Sequence, residues 1–228
     1  MSDYLLYYSM FQDVMFPGKE EESTGQDQEL SLRRIVSFYP RLNLKLADAS
    51  IVVFDLETTG LDHRRDFIIE IGARKITAGK LSGEFATMVN PERELPAQVE
   101  KITGITQDML EGQPIIRKVL PEFFDFIQGS LLVAHNAVFD MGFIRFHAGL
   151  MGIEFDWPAF CTLKMARELL PDLKRKNLDT LAEHYGLSFE ARHRSIGDVK
   201  VTETVLQQLL SQEGSYLKTW QDMEAFRV

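Results

Sequence analysis

The sequence predicts an α/β protein whose mixed sheet is covered by helices, and three observations carry that expectation. Apolar runs separated by turn signals fill residues 51–90, helical periodicity dominates after residue 115, and a short apolar run at 131–134 places a strand among those helices. Strands first, then strands and helices mixed, is the order expected when a sheet gathers helices on its faces. The 228 residues are 45% hydrophobic and include 16 Phe, enough for one sizeable core and too apolar for general disorder.

Along the chain, residues 1–48 read as an N-terminal extension and 49–228 as one catalytic-sized domain. Within the extension, 17–29 (PGKEEESTGQDQE) is polar and turn-rich, as a linker or exposed loop would be. After it, Leu32, Ile35, Val36 and Phe38 have helical spacing, and Pro40 would end that helix. From residue 49 the pattern becomes one of strands: IVVFDLETTG from Ile51, then 67–76 and 83–90, with Thr77-Ala78-Gly79-Lys80 as a hairpin connection. Helices are expected over 115–128, 137–150, 161–170, 178–185 and 196–210, with a buried strand at 131–134. No internal repeat is present.

No apolar run approaches the roughly 18 residues of a membrane span. The start, MSDYLLYYSMFQDVMF, lacks a basic region and a small-residue cleavage site, so a soluble, cytoplasmic chain without membrane contact is expected. The lone Cys161 excludes an internal disulfide and a thiolate metal cluster, and its place in a helical, core-like segment argues against a nucleophile. A formal net charge of −9 argues against a protein that coats nucleic acid. It permits an enzyme that meets nucleic acid at one site, because acids that bind divalent cations add to the negative count.

The opening strand ends on two acids. Side chains alternate along a strand, so Asp55 and Glu57 lie side by side on one face, where like charges repel unless a cation joins them. HNAVFD leads into a helix with Asp140 in its first turn, and HRSIGD leads into another with Asp198 in its first turn. Each has a bland reading. Asp140 and Asp198 would complement a helix N-terminus, Ser195-Ile196-Gly197-Asp198 fits a capping box, Asn136 fits an N-cap, and His193 fits a solvated loop. One functional reading uses Asp55, Glu57, Asp140, Asp198 and His193 together: hard divalent ions held by carboxylates, with a histidine base. A pair of such ions stabilises the attacking and leaving oxygens of a phosphoryl displacement.

The set FDLETTGLD, AHNAVFD and HRSIGD, in this order, resembles the DEDDh branch of the DnaQ-like 3′–5′ exonucleases. IIEIGA, KITGIT and NLDTLAEHYGL resemble it too, and the likeness spans residues 49–211. The resemblance implies an RNase H-like mixed five-stranded sheet flanked by helices, and release of nucleoside 5′-monophosphates by hydrolysis of terminal phosphodiesters. It further implies two Mg²⁺ or Mn²⁺ ions, the first held by Asp55, Glu57 and Asp198 and the second by Asp55 with Asp140 beside it. His193 would be the general base. Thr58, Thr59, Gly60 and Leu61 would hold the 3′-terminal nucleotide, and Asn136 would orient the strand. Ser195-Ile196-Gly197 stands where the family commonly has Ala-Leu-x, with the spacing kept.

NLDTLAEHYGLSFEARHRSIGD most resembles the proofreading epsilon subunit of bacterial DNA polymerase III, so single-stranded DNA ending in a free 3′ terminus is the expected substrate. RNA, and a non-catalytic partner module on the same fold, are the alternatives. Lys174, Arg175 and Lys176 suit a strand track or a solvated face equally, and Phe143 and Phe146 have the spacing of core residues. Gln12-Asp13-Val14-Met15-Phe16 faintly resembles the Gln-x-x-Leu-Phe peptides that dock on bacterial sliding clamps. The extension therefore reads as packed on the domain or as a docking element for a polymerase or clamp.

Overall fold

The computed structural model describes residues 34–38 and 43–228. The clamp-like peptide at 12–16, the linker at 17–29 and Leu32 lie outside the described residues. The first described segment is strand β1 (Arg34–Ser37), not the expected helix. It pairs in parallel with β6 (Ile153–Asp156), and Val36 and Phe38 pack on the core. Phe38 stacks on the buried Trp157 at 5.1 Å. A tertiary partner has overridden a local helical spacing.

The central sheet has five strands in the order β4-β3-β2-β5-β7. Strands β2 (Ser50–Thr58), β3 (Ile68–Thr77) and β4 (Lys80–Met88) form an antiparallel meander, and Thr77 pairs with Lys80 across the expected hairpin. Strand β5 (Leu131–Ala134) then joins β2 in parallel, and β7 (Ala159–Cys161) joins β5 in parallel. Cys161 thus ends a buried strand and precedes a helix, where the sequence placed it inside one.

The helices follow in chain order: α1 (Ala97–Thr103), α2 (Gln107–Leu110), α3 (Ile116–Ile127), α4 (Ala137–Leu150), α5 (Thr162–Leu169), α6 (Leu178–His184) and α7 (Ser195–Ser211), with a 3₁₀ turn at Gln221–Phe226. Alternation along β2 divides α3–α7 between the two faces of the sheet. Val52, Phe54 and Leu56 bury against Phe123 of α3 and Met141 and Ile144 of α4. Val53 points the other way, into a cluster with Met165 of α5, Leu181 of α6 and Val199 and Val205 of α7. Asp55 and Glu57 continue the Val53 row to the strand end, so the helix over them is α7.

Gly72 explains how closely α7 approaches. It pairs with Asp55 across β2 and β3, and a Cβ there would lie 2.5 Å from Ser195 Oγ and 2.7 Å from the backbone N of Ile196. Only a glycine lets the first turn of α7 settle on the strand at this point. Among the described residues no helix is long and apolar enough to cross a membrane.

Candidate functional site

Three elements deliver the acids to one spot. Asp55 and Glu57 come from β2, and Asp198 comes from the first turn of α7, which Gly72 admits onto the sheet. One carboxylate oxygen from each of these three residues lies within 4.8 Å of the others. Asp140, from the first turn of α4, reaches the same strand from the opposite side and accepts a hydrogen bond from Leu56 N at 3.2 Å. It is 2% exposed, and its charge acts on Asp55. Residues spread over more than 140 positions of the chain therefore meet at the end of β2.

The electrostatics record what that convergence costs without a cation. Burial pushes Asp55 well above the usual carboxylate range, Asp140, Glu57 and Asp198 push it further, and Arg192 pulls it back. Glu57 is raised to about 8, chiefly by burial and then by Asp198 and Glu70. Asp140 is raised to about 7 by burial, against the backbone amides whose hydrogen bonds it accepts. Asp198 is raised to about 6 by burial, with Arg192 and the His193 backbone opposing. Such groups carry charge reluctantly, and a divalent ion reverses that preference. The donor set fits one: hard oxygens only, with Asp198 Oδ1 buried and lacking a hydrogen-bond partner.

The loop before α7 brings two cations to this acid cluster. Arg192 forks onto Asp179 at 2.7 and 3.1 Å, and its Nη1 bonds Asp198 Oδ2. Arg194 forks onto Glu70 of β3, the shortest contact being 2.6 Å, and the same carboxylate accepts from Ser195 N at 2.8 Å. Glu70 therefore caps α7 from another strand. The capping box of the bland reading is absent: Arg194 is the N-cap without a side-chain cap bond, and Ser195 Oγ is buried and unpartnered. With Ser195 facing the sheet, its hydroxyl cannot turn back to the helix amides. Between the two arginines His193 adopts a left-handed backbone with φ 60°. Burial and the Arg192 charge lower its pKa.

The remaining expected residues ring the end of β2. Thr58 Oγ1 donates to Gly60 O at 2.6 Å, and the buried Thr59 accepts from Phe67 N at 2.9 Å. A Cβ on Gly60 would sit 2.4 Å from Asp66 Oδ2, so the loop folds back on itself there. Leu61 projects beyond it, 86% exposed. Asn136 has φ 62° and makes no side-chain cap bond to α4, which leaves its amide for other partners. Asn136, Asp55 and Asp198 line one cleft of about 720 Å³, together with His135 and a group of basic residues. His135, lowered to about 4 chiefly by burial, contacts Thr162 Oγ1 at 3.0 Å. Phe143 is fully buried, as its spacing predicted.

Sequence reasoning passed over Glu70 and the inward role of Arg192. The one signal for Glu70 was an acid inside the apolar run IIEIGA.

A sequence model of an exonuclease family, RNase T, matches residues 52–206. The PolC-type DNA polymerase III of Clostridium perfringens is 45% identical over 159 residues, covering 70% of this chain and 11% of that protein. The chain thus spans about a tenth of the PolC-type relatives it matches. The DNA polymerase III subunit epsilon of Aquifex aeolicus is 36% identical over 168 residues, covering 73% of this chain and 83% of its relative. Among solved structures, Exonuclease X in complex with 5′ overhanging duplex DNA superposes with a TM-score of 0.64 at 26% identity, covering 77% of this chain and 99% of that one. The nuclease domain of 3'hExo, a DEDDh family member bound to rAMP, gives 0.63 at 18% identity over 72% and 94% of the two chains.

Proposed function

The chain belongs to the DnaQ-like exonuclease family, and from that premise we propose that it hydrolyses single-stranded DNA from the 3′ end, one nucleotide at a time, with divalent metal ions. The observation that carries this reading is the meeting of Asp55, Glu57 and Asp198 within 4.8 Å, beside a cleft whose other wall is basic. Asp55, Glu57 and Asp198 would hold one Mg²⁺ or Mn²⁺, and Asp55 with Asp140 would help to hold a second. Bound there, such ions would supply positive charge to offset the negative charge developing on the phosphoryl oxygens.

The protein's own groups do the rest. His193 takes a proton from the attacking water, and its lowered pKa keeps the ring neutral and ready to accept one. The water oxygen bonds to the terminal phosphorus and the bond to the 3′ oxygen of the preceding nucleotide breaks. That oxygen takes up a proton, leaving a nucleoside 5′-monophosphate and a new 3′-hydroxyl. The Thr58–Leu61 loop seats the terminal nucleotide, with the exposed Leu61 against its base, and the free amide of Asn136 orients the strand.

DNA is favoured over RNA by the relatives, which are DNA polymerase III proteins. They also favour a cytoplasmic setting in which the chain proofreads beside a polymerase, with the clamp-like peptide at 12–16 as the docking element. The test uses single-stranded DNA and RNA of one sequence, labelled at the 5′ end, with Mg²⁺ or Mn²⁺ and with chelator. A ladder shortening from the 3′ end, faster on DNA and stopped by chelator, is the expected result. Faster loss of RNA would move the substrate assignment, and no loss of either polymer would overturn the reading.

A further inference from the structure

We propose that the loop 170–177, with Arg167 of α5, is a track for the phosphates of the nucleotides upstream of the scissile bond. The inference rests on the exonuclease reading and adds to it the binding site for the polymer's body.

Arg167, Lys174, Arg175 and Lys176 line the same cleft as Asp55 and Asp198. Their partners differ in a telling way. Lys176 Nζ is turned back on its own loop, donating to Leu173 O and to Pro171 O at 3.5 Å. Leu173 packs on the core, and the Asn177 side chain caps α6 by accepting from Thr180 N at 3.3 Å. The loop is thus fixed at its middle and its end. Arg167, Lys174 and Arg175 are exposed, and among the described residues none of them forms an ion pair or a side-chain hydrogen bond. Glu168 and Asp172, the acids on this segment, are not among the residues that line the cleft.

In a chain of net charge −9, a fixed loop that presents unpaired cations to the cleft of an acid cluster suits an anionic occupant. A phosphate backbone supplies one charge per nucleotide, and its contacts to Lys and Arg position a strand without reading its bases. The division of labour is physical. The acids require cations before they tolerate phosphate, whereas this wall attracts phosphate directly and sets the direction from which the strand reaches the cup.

The experiment replaces both Lys174 and Arg175 by Ala; neither side chain supports the fold. Fluorescein-labelled dT₁₀ is bound in the presence of EDTA and followed by anisotropy from low to high salt, so the readout needs no turnover. Two lost phosphate contacts should reduce the slope of log K against log salt by about 1.4, which is roughly tenfold to thirtyfold weaker binding at 0.1 M salt. In parallel, the ratio of kcat/KM for dT₁₀ over dT₂ should fall by a similar factor, because a dinucleotide does not reach the track. A double variant with the wild-type slope and the wild-type ratio would overturn the proposal. Wild-type protein that binds dT₁₀ with this slope yet cleaves neither oligonucleotide would instead defeat the nuclease reading and leave the track standing.

Discussion

Replacing Asp140 by Asn should stabilise the metal-free protein at alkaline pH while destroying its activity. Asp140 is 2% exposed, and burial raises its pKa from the ordinary 3.8 to about 7. Between those values the native state keeps a proton that the unfolded chain has released. Stability is therefore fully present below about pH 4 and falls as pH rises through about 7. Each pKa unit is worth about 1.4 kcal/mol, so the interval from pH 5 to about 7 removes roughly 2–3 kcal/mol through this one group. Asn has nearly the same shape, retains an oxygen for the Leu56 N–H at 3.2 Å, and does not titrate. Urea unfolding in chelator at pH 5 and pH 8 measures the difference. The variant should gain about 2–3 kcal/mol on the wild type between the two pH values, and 3′ hydrolysis should fall at least 100-fold, in line with loss of a group at the reacting centre. A stability difference that is the same at both pH values would refute the argument that a reluctant charge is stored at this position.

Three further outcomes follow from the same geometry. His193→Ala should slow hydrolysis by roughly 10²–10⁴ in initial-rate assays with saturating metal; a variant with wild-type activity would exclude His193 as the base. Glu70→Ala leaves the Arg194 guanidinium and Ser195 N without their shared acceptor and should lower the unfolding free energy by about 2–3 kcal/mol. That is less than for a fully buried pair because the Arg194 side chain is 32% exposed; Glu70→Gln, which keeps an oxygen for Ser195 N, should lose less. Gly72→Ala should cost about 1–3 kcal/mol in a urea titration and weaken Mn²⁺ binding, since the new methyl must push the first turn of α7, and Asp198 with it, away from the strand.

Much of the site could be read from residue order because its parts obey local rules. Alternation along a strand placed Asp55 and Glu57 together without any knowledge of the fold. Helical periodicity fixed α3, α4, α6 and α7 to within a residue or two, and so put Asp140 and Asp198 in first turns. That those turns meet over β2 is a long-range fact, visible in the sequence only through resemblance to the exonuclease motifs. What escaped notice has no period. Strands β6 and β7 have four and three residues, too few for alternation to register. Strand β1 carries apolar spacing that suits a helix equally, and its partner lies more than 100 residues away. Glu70 caps a helix begun 125 positions later, so the local Ser195–Asp198 pattern allowed a capping box whose place a remote carboxylate takes.

The acid cup itself is tested most directly by titrating Mn²⁺ into metal-free protein in a calorimeter, with thymidine 5′-monophosphate present. Saturable binding of two ions per chain, abolished by Asp55→Ala in a variant whose unfolding remains cooperative, is the result predicted. Wild-type protein that takes up no Mn²⁺, or an Asp55→Ala variant that binds it as the wild type does, would contradict the account.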